Sequence, residues 1–377
     1  MKKTISYILI FCFIAALLLT GCKTQEKTQE KTAAKSEINV QYAKGFKIES
    51  ISDGIKKVTD GDGREMLLVL RGQKVPDKYK DLPVIYTPVK KVITASTTQA
   101  ALLRPLGVLN TVVGVTTPEK QWYIDEIKQG LKNGSIKYLG QNSAPNYEEI
   151  TKISPDVVFL YTQSGMAGTE DFPKKLKELG VPYAVDNEWL ENDPIARLEW
   201  IKFLAAFYDK DKEASDFFNN AVKKINEIKD KVPKENKPKV AWGQIYKGMV
   251  YVPTGGSYVA KMIDMAGGDN IFKDVQPTKT GNVTMTLEEF YARANNADIL
   301  IYPASTVYMP SVSKLVEQAP VLKDIKPIKE GKVWCLQPQY WQDLDKTEQV
   351  IADLAAIFHP KDFTGHKLQE FEKLPEK

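Results

Sequence analysis

Histidine is the scarcest ionisable residue in this sequence. The 377-residue chain has two, His359 and His366, both in the C-terminal tail, where we expect them to lie on the surface. A site for a bare transition metal is normally built from clustered imidazole, thiolate and carboxylate groups. The sequence therefore predicts no resident metal site and no cofactor. A metal handled by this protein would arrive already bound by an organic chelator or macrocycle.

An excess of charge of either sign is also absent. The chain has 52 lysine and arginine residues against 48 aspartate and glutamate residues, a formal net charge of +4. Without a strong positive field we expect no nucleic-acid partner. The few arginines favour a neutral or aromatic-faced ligand over a strongly anionic one. They are Arg64, Arg71, Arg104, Arg197 and Arg293.

Common catalytic motifs are missing as well. No G-x-x-x-x-G-K-[ST] phosphate-binding loop occurs, and the stretch Gly255-Gly256-Ser257-Tyr258-Val259 lacks the second glycine of a G-x-S-x-G nucleophile elbow. The run Asp60-Gly61-Asp62-Gly63 lacks the spacing and the closing glutamate of an EF-hand. A serine triad would have to recruit a tail histidine. We therefore expect a protein that is not an enzyme.

The N-terminus has the pattern of a secretion signal. Lys2 and Lys3 precede an apolar run, Ile8 to Leu19, which is too short to cross a bilayer comfortably as a helix. The following Leu19-Thr20-Gly21-Cys22 resembles the lipobox of bacterial lipoproteins. This resemblance implies a lipoprotein signal peptide over residues 1–21, lipidation of Cys22, and a lipid-anchored chain on the extracytoplasmic face of the cell membrane.

A polar tether is predicted directly after Cys22. Residues 22–37 repeat TQEK and contain too few apolar side chains to offset the entropy of ordering. Removal of residues 1–21 would lower the formal net charge to +2 and would take Cys12 away. With Cys22 acylated, Cys335 would be the one remaining thiol, so we expect no disulfide within the chain.

The remainder of the chain has the pattern of an α/β protein. Asp-Gly pairs between strand-like runs predict an N-terminal β-hairpin extension or small meander over residues 38–82. Short apolar runs then alternate with amphipathic stretches, and their lack of polar alternation indicates strands covered on both faces of a parallel sheet. We expect an N-terminal lobe over residues 83–192 and a C-terminal lobe and tail over residues 233–377.

One long amphipathic stretch separates the two expected lobes. Asp193 can cap it, Pro194 suits a first helical position, and the next proline is Pro233. Apolar residues recur at helical spacing, although residues 209–211 could bend the segment. We expect a continuous or nearly continuous bridging helix over residues 193–232, with a length of more than about 45 Å.

Two segments on either side of this stretch are similar to each other. Residues 147–161, YEEITKISPDVVFLY, and residues 287–303, LEEFYARANNADILIYP, share paired glutamates followed by an aspartate and a buried strand that reaches a tyrosine. We interpret them as one helix–strand unit used twice, once in each lobe.

Five segments within residues 88–358, taken together in their order along the chain and after a lipobox, resemble the substrate-binding lipoproteins of ABC importers for iron–siderophore complexes, haem and cobalamin. The resemblance implies a class III periplasmic binding protein fold, in which two parallel-sheet α/β lobes are bridged by one long α-helix. It also implies a bound solute in the cleft, and an ABC permease with its ATPase as partner. Glu148 and Glu288 match the family's permease-docking acids. The segments that carry the resemblance are residues 92–107, 145–161, 197–214, 255–272 and 286–290.

Candidate ligand contacts follow the ends of the expected strands, where open α/β sheets bind ligands. Aromatic side chains offer flat, rigid walls for a chelate, and two helix starts offer backbone N–H groups. The aromatic and amide candidates are Trp122, Tyr123, Tyr161, Gln163, Trp189, Tyr246, Tyr251, Tyr308, Tyr340 and Trp341. The candidates at the helix starts are Thr97, Thr98, Gly256 and Ser257.

The resulting hypothesis is a monomeric, membrane-anchored receptor that captures an iron–siderophore, haem or a corrinoid and delivers it to an ABC permease. Two alternatives remain open within the same fold. One is a receptor for an oxyanion such as molybdate, held by helix N-termini. The other is a chelatase-like enzyme, which would need a histidine near the cleft. A surface adhesin or sensor is a further possibility.

Overall fold

The computed structural model describes residues 39–163 and 169–377. Glu37–Lys377 form one compact unit. The predicted signal peptide (residues 1–21), the lipidation site Cys22 and the tether (residues 22–37) lie outside the described residues. Within those residues, no helix is both long and apolar enough to span a bilayer.

The N-terminal extension contains the predicted hairpin and one strand more. β1 (Lys47–Ser52), β2 (Ile55–Thr59) and β3 (Glu65–Leu70) are antiparallel, with Asp-Gly turns at both connections. β4 (Val84–Thr87) pairs parallel to β3 and lies beyond residue 82, where we expected the extension to end. A short 3₁₀ helix, Asp77–Tyr79, connects these two strands.

Lobe 1 is built on the predicted parallel sheet. Its strand order is β7-β6-β5-β8-β9, a doubly wound arrangement whose order reverses at β5. The strands are β5 (Val92–Thr94), β6 (Val112–Val115), β7 (Lys137–Tyr138), β8 (Val157–Leu160) and β9 (Tyr183–Val185). The helices are α1 (Thr97–Leu103), α2 (Asp125–Asn133), α3 (Tyr147–Ile153) and α4 (Asp171–Glu178), with 3₁₀ turns at Leu109–Thr111, Glu119–Gln121 and Glu188–Leu190.

The segment between the lobes is two helices, so the prediction of one continuous helix was wrong. α5 (Pro194–Ala206) and α6 (Asp211–Lys231) are separated by a turn in which Asp209 has a φ of 57°. The Lys202 ammonium lies 4.3 Å from the centre of the Phe218 ring. A straight helix would hold residues 16 positions apart at about 24 Å. The chain therefore folds back after α5.

The break follows from burial of α5. Every residue of α5 is buried, whereas α6 buries one side through Ala214, Phe218 and Ile225. α5 packs against α1 of lobe 1 on one side and against helices of lobe 2 on another. The bridging role thus belongs to α5, and one apolar core runs from lobe 1 through α5 into lobe 2.

Lobe 2 repeats the parallel architecture with an antiparallel edge. The main sheet has the order β13-β10-β15-β16-β17, and β17 is antiparallel to β16; a second, antiparallel sheet has the order β11-β12-β14. The strands are β10 (Lys239–Trp242), β11 (Gln244–Tyr246), β12 (Met249–Pro253), β13 (Asp269–Asn270), β14 (Asn282–Thr286), β15 (Ile299–Tyr302), β16 (Val333–Leu336) and β17 (Phe371–Lys373).

The helices of lobe 2 cover these sheets. They are α7 (Tyr258–Met265), α8 (Leu287–Ala294), α9 (Val312–Gln318), α10 (Lys326–Lys329) and α11 (Thr347–Phe358), with 3₁₀ turns at Pro320–Asp324, Tyr340–Gln342 and Leu344–Lys346. The two similar segments noted in the sequence become α3–β8 and α8–β15. Both strands occupy interior positions of their sheets, next to β5 and β10 respectively. The repeated unit therefore has the same place in each lobe.

Candidate ligand-binding cleft

A cleft of about 730 Å³ lies between the two lobes and is called here the aromatic cleft. Its walls come from the carboxyl ends of parallel strands. Ala95–Thr97 follow β5 and Tyr161 follows β8, while Ser305 and Tyr308 come after β15 and Trp341 after β16. Because ligands bind open α/β sheets at the carboxyl edge where the strand order reverses, the cleft has the expected position for a solute site.

Four aromatic side chains face this cleft. Tyr123 and Tyr161 belong to lobe 1, and Tyr308 and Trp341 belong to lobe 2. Tyr308 is 71% exposed and Trp341 is 48% exposed, so both have apolar surface that a ligand could cover. Tyr340 packs edge-on behind Trp341, with ring centres 5.0 Å apart, and holds the indole in place. Flat rings on opposite walls suit a ligand with a planar or chelated body.

The polar groups of the aromatic cleft are mostly neutral. Asn142 donates from Nδ2 to the backbone oxygen of Ala95 at 3.0 Å, and its buried Oδ1 has no partner among the described residues. Lys120 is the one charged side chain among the described residues that line the cleft. The cleft therefore offers hydrogen bonds and a single positive charge, and it lacks the cluster of cations that a highly anionic ligand would need.

Gln342 joins the two lobes at the base of the aromatic cleft. Its Oε1 accepts hydrogen bonds from the backbone N–H groups of Tyr123 (2.8 Å) and Ile124 (3.3 Å). Its Nε2 donates to the backbone oxygen of Gln121 at 2.6 Å. Gln342 thus uses both ends of its amide to hold the loop that carries Tyr123 beside Trp341.

An ion-pair cluster stabilises the same lobe boundary. Arg104 of lobe 1 contacts Asp343 (2.7 Å) and Asp345 (2.5 Å) of lobe 2. Burial raises the pKa of Asp345, and the hydrogen bond from Arg104 opposes this shift. Burial lowers the pKa of the Arg104 guanidinium. The hydrogen bonds and charges of Asp345 and Asp343 exceed this effect, and the net result is a raised pKa. Both lobes therefore depend on each other for charge compensation.

Three predicted contact residues support the aromatic cleft from behind. Trp122 is 2% exposed, and its Nε1 donates to the backbone oxygen of Thr117 at 2.9 Å. Thr98 shares a hydrogen bond with Ser96 at the start of α1, and Tyr340 is buried. Among the helix-start candidates Thr97 does line the cleft, where its hydroxyl donates to the backbone oxygen of Trp341 at 3.3 Å.

Gln163 and Trp189 line a second cavity of about 950 Å³, called here the side chamber. It lies beyond Tyr161 along the same strand end, and the turn Asp60–Gly63 of the N-terminal extension forms part of its wall. The loop Thr280–Asn282 of lobe 2 closes another side. Because the wall includes the extension, the resemblance to the family could not have indicated this chamber.

Gly256 and Ser257 line a third cavity, about 740 Å³ in volume, beside α7. A Cβ on Gly255 would meet the backbone oxygen of Lys273 at 2.1 Å, and a Cβ on Gly256 would meet that of Lys279 at 2.7 Å. The glycines are therefore required by close backbone approach. Ser257 caps α7, with its hydroxyl donating to the backbone oxygen of Thr254 at 2.7 Å. Backbone carbonyl oxygens crowd this helix start, which does not suit an anion.

Tyr246 and Tyr251 lie outside all three cavities. They pack edge-to-face at 6.2 Å on the antiparallel sheet of lobe 2 and remain 55% and 40% exposed. The intervening turn, Lys247–Gly248, has positive φ at both residues, as a tight hairpin turn requires. The structure therefore does not bring this pair to the aromatic cleft.

Glu148 and Glu288 occupy equivalent positions at the starts of α3 and α8. The cap residues Asn146 and Thr286 each accept a hydrogen bond from the backbone N–H three residues later, at Glu149 and Glu289. This places Glu148 and Glu288 in the same register, with both side chains exposed. Glu289 is engaged in its own capping box, whereas Glu288 takes no part in that cap.

Neither histidine is a surface side chain, so that expectation was wrong. His359 is buried, with its Nε2 3.1 Å from the backbone oxygen of Gly267. His366 is half-buried, and its Nε2 lies 2.6 Å from Oδ1 of the buried Asp353. Among residues 39–163 and 169–377, no group of three or more potential ligands could hold a metal ion.

Several cleft residues were missed by sequence reasoning. They follow the same strand ends as the predicted residues but carry small or amide side chains: Thr116, Gln121, Asn142 and Gln342. Lys120 was missed as well. A search of every strand end, rather than of its aromatic residues alone, would have found Thr116, Lys120 and Gln121 after β6.

The fold and the cleft define a two-lobed solute-binding protein. The family described as "Periplasmic binding protein" matches residues 92–340, and the chain belongs to this family. Its members are the substrate-binding receptors of ABC importers and are not enzymes, which confirms the expectation of a non-catalytic protein and excludes the chelatase alternative.

Relatives are found among both sequences and solved structures. The "Uncharacterized lipoprotein MJ0878" of Methanocaldococcus jannaschii is 34% identical over 415 aligned positions, covering 99% of this chain and 97% of that protein. The "Fe(3+)-citrate-binding protein YfmC" of Bacillus subtilis is 21% identical, covering 70% of this chain and 80% of that protein.

A solved periplasmic binding protein from Veillonella parvula superposes with a TM-score of 0.61 at 16% identity, covering 84% of this chain and 98% of that chain. The periplasmic heme-binding protein HutB of Vibrio cholerae has a TM-score of 0.56 at 14% identity, over 69% and 97% of the two chains. These similarities confirm the class III fold.

Proposed function

We propose that this protein is a lipid-anchored, extracytoplasmic receptor that captures a metal chelate in the aromatic cleft and delivers it to an ABC permease. The chelate is an iron–siderophore, a haem or a corrinoid. The supporting observation is a cleft between two lobes with aromatic side chains on both walls and, within the described part of the chain, one lysine as its sole charge. Two similar proteins, an Fe(3+)-citrate-binding protein and a heme-binding protein, are named for ligands of the same class.

Capture in such a cleft depends on burial of apolar surface and needs no covalent change in the ligand. Covering apolar surface contributes about 25 cal/mol per Å², and rigid aromatic rings lose little conformational freedom when they do so. Gln342 and Arg104 hold the lobes in register before the ligand arrives, which reduces the entropy cost of closing around it. The ligand would leave unchanged when the permease separates the lobes.

The proposal is tested by a matched pair of exposed tyrosines. Tyr308 lines the aromatic cleft, whereas Tyr246 lies outside it. In visible-absorbance titrations with haemin, cyanocobalamin and a ferric siderophore, we expect micromolar or tighter binding of at least one chelate. Tyr308→Ala should weaken that binding about tenfold, and Tyr246→Ala should not. Equal loss in both variants, or no binding of any chelate, would contradict the proposed cleft.

Delivery to a permease is assigned to Glu148 and Glu288. Their matched registers on the two lobes support two-point docking on basic surfaces of a symmetric partner. Glu148→Lys and Glu288→Lys should reduce uptake of labelled ligand by cells that carry the permease, with ligand affinity unchanged. Glu227→Lys, an exposed position on α6, provides the matched charge reversal away from the docking surface. Uptake equally reduced by all three variants would refute the assignment.

The anchor is assigned to Cys22 on the lipobox resemblance and on the lipoprotein name of the relative from Methanocaldococcus jannaschii. Two or more acyl chains hold a protein stably on a membrane. Cys22→Ser should therefore move the protein from the membrane fraction to the soluble fraction or the medium. A variant that stays in the membrane fraction after a high-salt wash would overturn the lipid anchor.

A further inference from the structure

The turn Asp60–Gly63 of the N-terminal extension is fastened onto the ligand-facing edge of lobe 1. Gly61 donates its backbone N–H to the oxygen of Val185 at 2.8 Å, at the carboxyl end of β9. The carboxylate of Asp60 is buried and accepts hydrogen bonds from the backbone N–H groups of Asp62, Arg64 and Val185. The turn therefore lies at the edge where this class of sheet binds its ligands.

Asp62 extends this contact to the strand end that also carries Tyr161. Its Oδ1 accepts hydrogen bonds from the Thr162 hydroxyl at 2.6 Å and from Nδ2 of Asn187 at 3.2 Å. A Cβ on Gly61 would stand 2.9 Å from the Cβ of Asn187 and 3.0 Å from the oxygen of Val185. Only glycine fits this approach, so the turn is packed into lobe 1 as part of its wall.

The side chamber formed by this turn differs in chemistry from the aromatic cleft. Lys174 and Lys177 on α4 place two ammonium groups on one wall, and the carboxylates of Asp62 and Glu170 line the chamber as well. Gln163 contributes an amide, and Thr280 and Asn282 of lobe 2 contribute a hydroxyl and an amide. The ammonium, amide and hydroxyl groups can donate to ligand oxygens, and the carboxylates can accept from ligand hydroxyl or amide groups, so the chamber suits a polar arm that carries both. Tyr161 lines the aromatic cleft and the next two residues, Thr162 and Gln163, line the chamber, so the two cavities are adjacent.

We infer that the N-terminal extension completes a second ligand subsite, in which the side chamber holds an oxygen-rich arm that projects from the chelate bound in the aromatic cleft. The inference rests on the proposed function, because the arm needs a body in the adjacent cleft. It selects for chelates with a long polar appendage over compact ones. It also gives the extension, which lies outside the matched residues 92–340, a role in ligand choice.

The test compares ligands that differ in the arm. Cyanocobalamin carries a long nucleotide arm with a phosphate, dicyanocobinamide has the same ring without that arm, and haemin has two short propionates. The mature chain should bind cyanocobalamin about tenfold more tightly than dicyanocobinamide. Asn282→Trp, which fills the side chamber from an exposed position, should weaken cyanocobalamin binding about tenfold and change the other two affinities less than about twofold. Asn295→Trp, an exposed position before the amino end of β15, should change none of them.

The outcomes distinguish a failure of the side-chamber inference from a failure of the proposed function. If Asn282→Trp leaves cyanocobalamin binding unchanged, or weakens all three ligands equally, the side chamber does not hold an arm. The same conclusion follows if the chain binds haemin alone, or binds cobalamin and cobinamide equally tightly; the proposed function then stands without the subsite. If the wild-type chain binds none of the three probes nor a ferric siderophore, the proposed function fails and the inference fails with it.

Discussion

Arg104 of lobe 1 and Asp345 of lobe 2 form a two-point ion pair across the lobe boundary, with Nε–Oδ2 at 2.9 Å and Nη2–Oδ1 at 2.5 Å. The carboxylate side is almost fully buried, and Asp343 shares the same guanidinium. Asp345 therefore depends on an arginine from the other lobe, whereas Asp343 also pairs with Lys346 of its own lobe at 2.9 Å. The ion pair therefore links the geometry of the cleft to charge compensation between the two lobes.

Loss of this arginine should destabilise the whole chain. Arg104→Ala leaves the buried carboxylate of Asp345 without its ion-pair partner, whereas Asp343 keeps Lys346 at 2.9 Å. Removing one partner of a buried ion pair costs about 3–5 kcal/mol. Urea unfolding should show this loss. Arg293 makes a similar two-point pair with Asp274 on the surface, so Arg293→Ala should cost less than about 1 kcal/mol. A comparable cost for the two variants would contradict the buried role of Arg104.

Gln342 should control the order of the loop that carries Tyr123. Gln342→Ala removes the acceptor of two backbone N–H groups, at Tyr123 and Ile124, and leaving buried donors without a partner costs about 1–3 kcal/mol. Hydrogen exchange of these two amides should accelerate strongly in the variant. The amide of Val115, in the lobe 1 sheet, serves as the internal control and should keep its protection. Unchanged exchange at Tyr123 would show that Gln342 is not the clamp.

The segment before β1 is held by a buried carboxylate on α5. Glu199 is fully buried and accepts hydrogen bonds from the backbone N–H groups of Gln41, Tyr42 and Ala43, as well as from the ammonium of Lys202. Glu191 holds the next two backbone N–H groups, those of Lys44 and Gly45. The double variant Glu191→Ala with Glu199→Ala should therefore release this segment and open the bond after Lys44 to trypsin, because freed backbone is readily cleaved.

The control for this prediction is Glu213→Ala, which removes an exposed carboxylate paired with Lys210. That variant should be as resistant to trypsin at Lys44 as the wild type. Resistance of the double variant at the same position would mean that the segment is held by other contacts.

Stability should depend on the protonation of Glu370. Burial, followed by the charge of Asp343, raises the pKa of Glu370 to about 8, with Asp353 also raising it and Lys346 opposing. The folded chain thus keeps a proton that the unfolded chain has lost, so this contribution to stability falls as pH rises from about 5 to about 8. Glu370→Gln stays neutral and lacks this loss.

The difference in the free energy of unfolding between Glu370→Gln and the wild type isolates the titration of Glu370 from that of all other groups. The free energy of unfolding of Glu370→Gln, minus that of the wild type, should increase by more than about 1 kcal/mol between pH 5 and pH 9 and then level off. Thermal unfolding in a series of buffers measures it. A difference that is constant with pH would show that Glu370 is ionised throughout this range.

The apolar strands were predictable from sequence because their composition alone reports burial. The runs that became β5, β8, β15 and β16 lack polar alternation, as expected for strands covered on both faces of a sheet. The paired helix–strand units were found for the same reason. The break between α5 and α6 was not predictable, because it depends on the packing of α5 between both lobes and on the conformation of Asp209.

The sequence predicted which strand ends form the site, but it did not predict which side chains face the cleft. Trp122 and Tyr123 are adjacent aromatic residues, and only the fold decides that Trp122 turns inward to Thr117 while Tyr123 faces the aromatic cleft. The side chamber brings Asp62, Lys177 and Asn282 together from three distant parts of the chain. Local sequence carries no signal for such a contact, since it depends on tertiary packing alone.

The most direct test of the central claim is native mass spectrometry of the mature chain mixed with haemin, cyanocobalamin, a ferric siderophore, ferric citrate and molybdate, each in turn. A receptor for preassembled chelates should retain one intact chelate per chain, and the double variant Tyr161→Ala with Trp341→Ala should lose it. Retention of molybdate or bare iron in place of a chelate would contradict the account. Chelate binding that is unaffected by the double variant would contradict it equally.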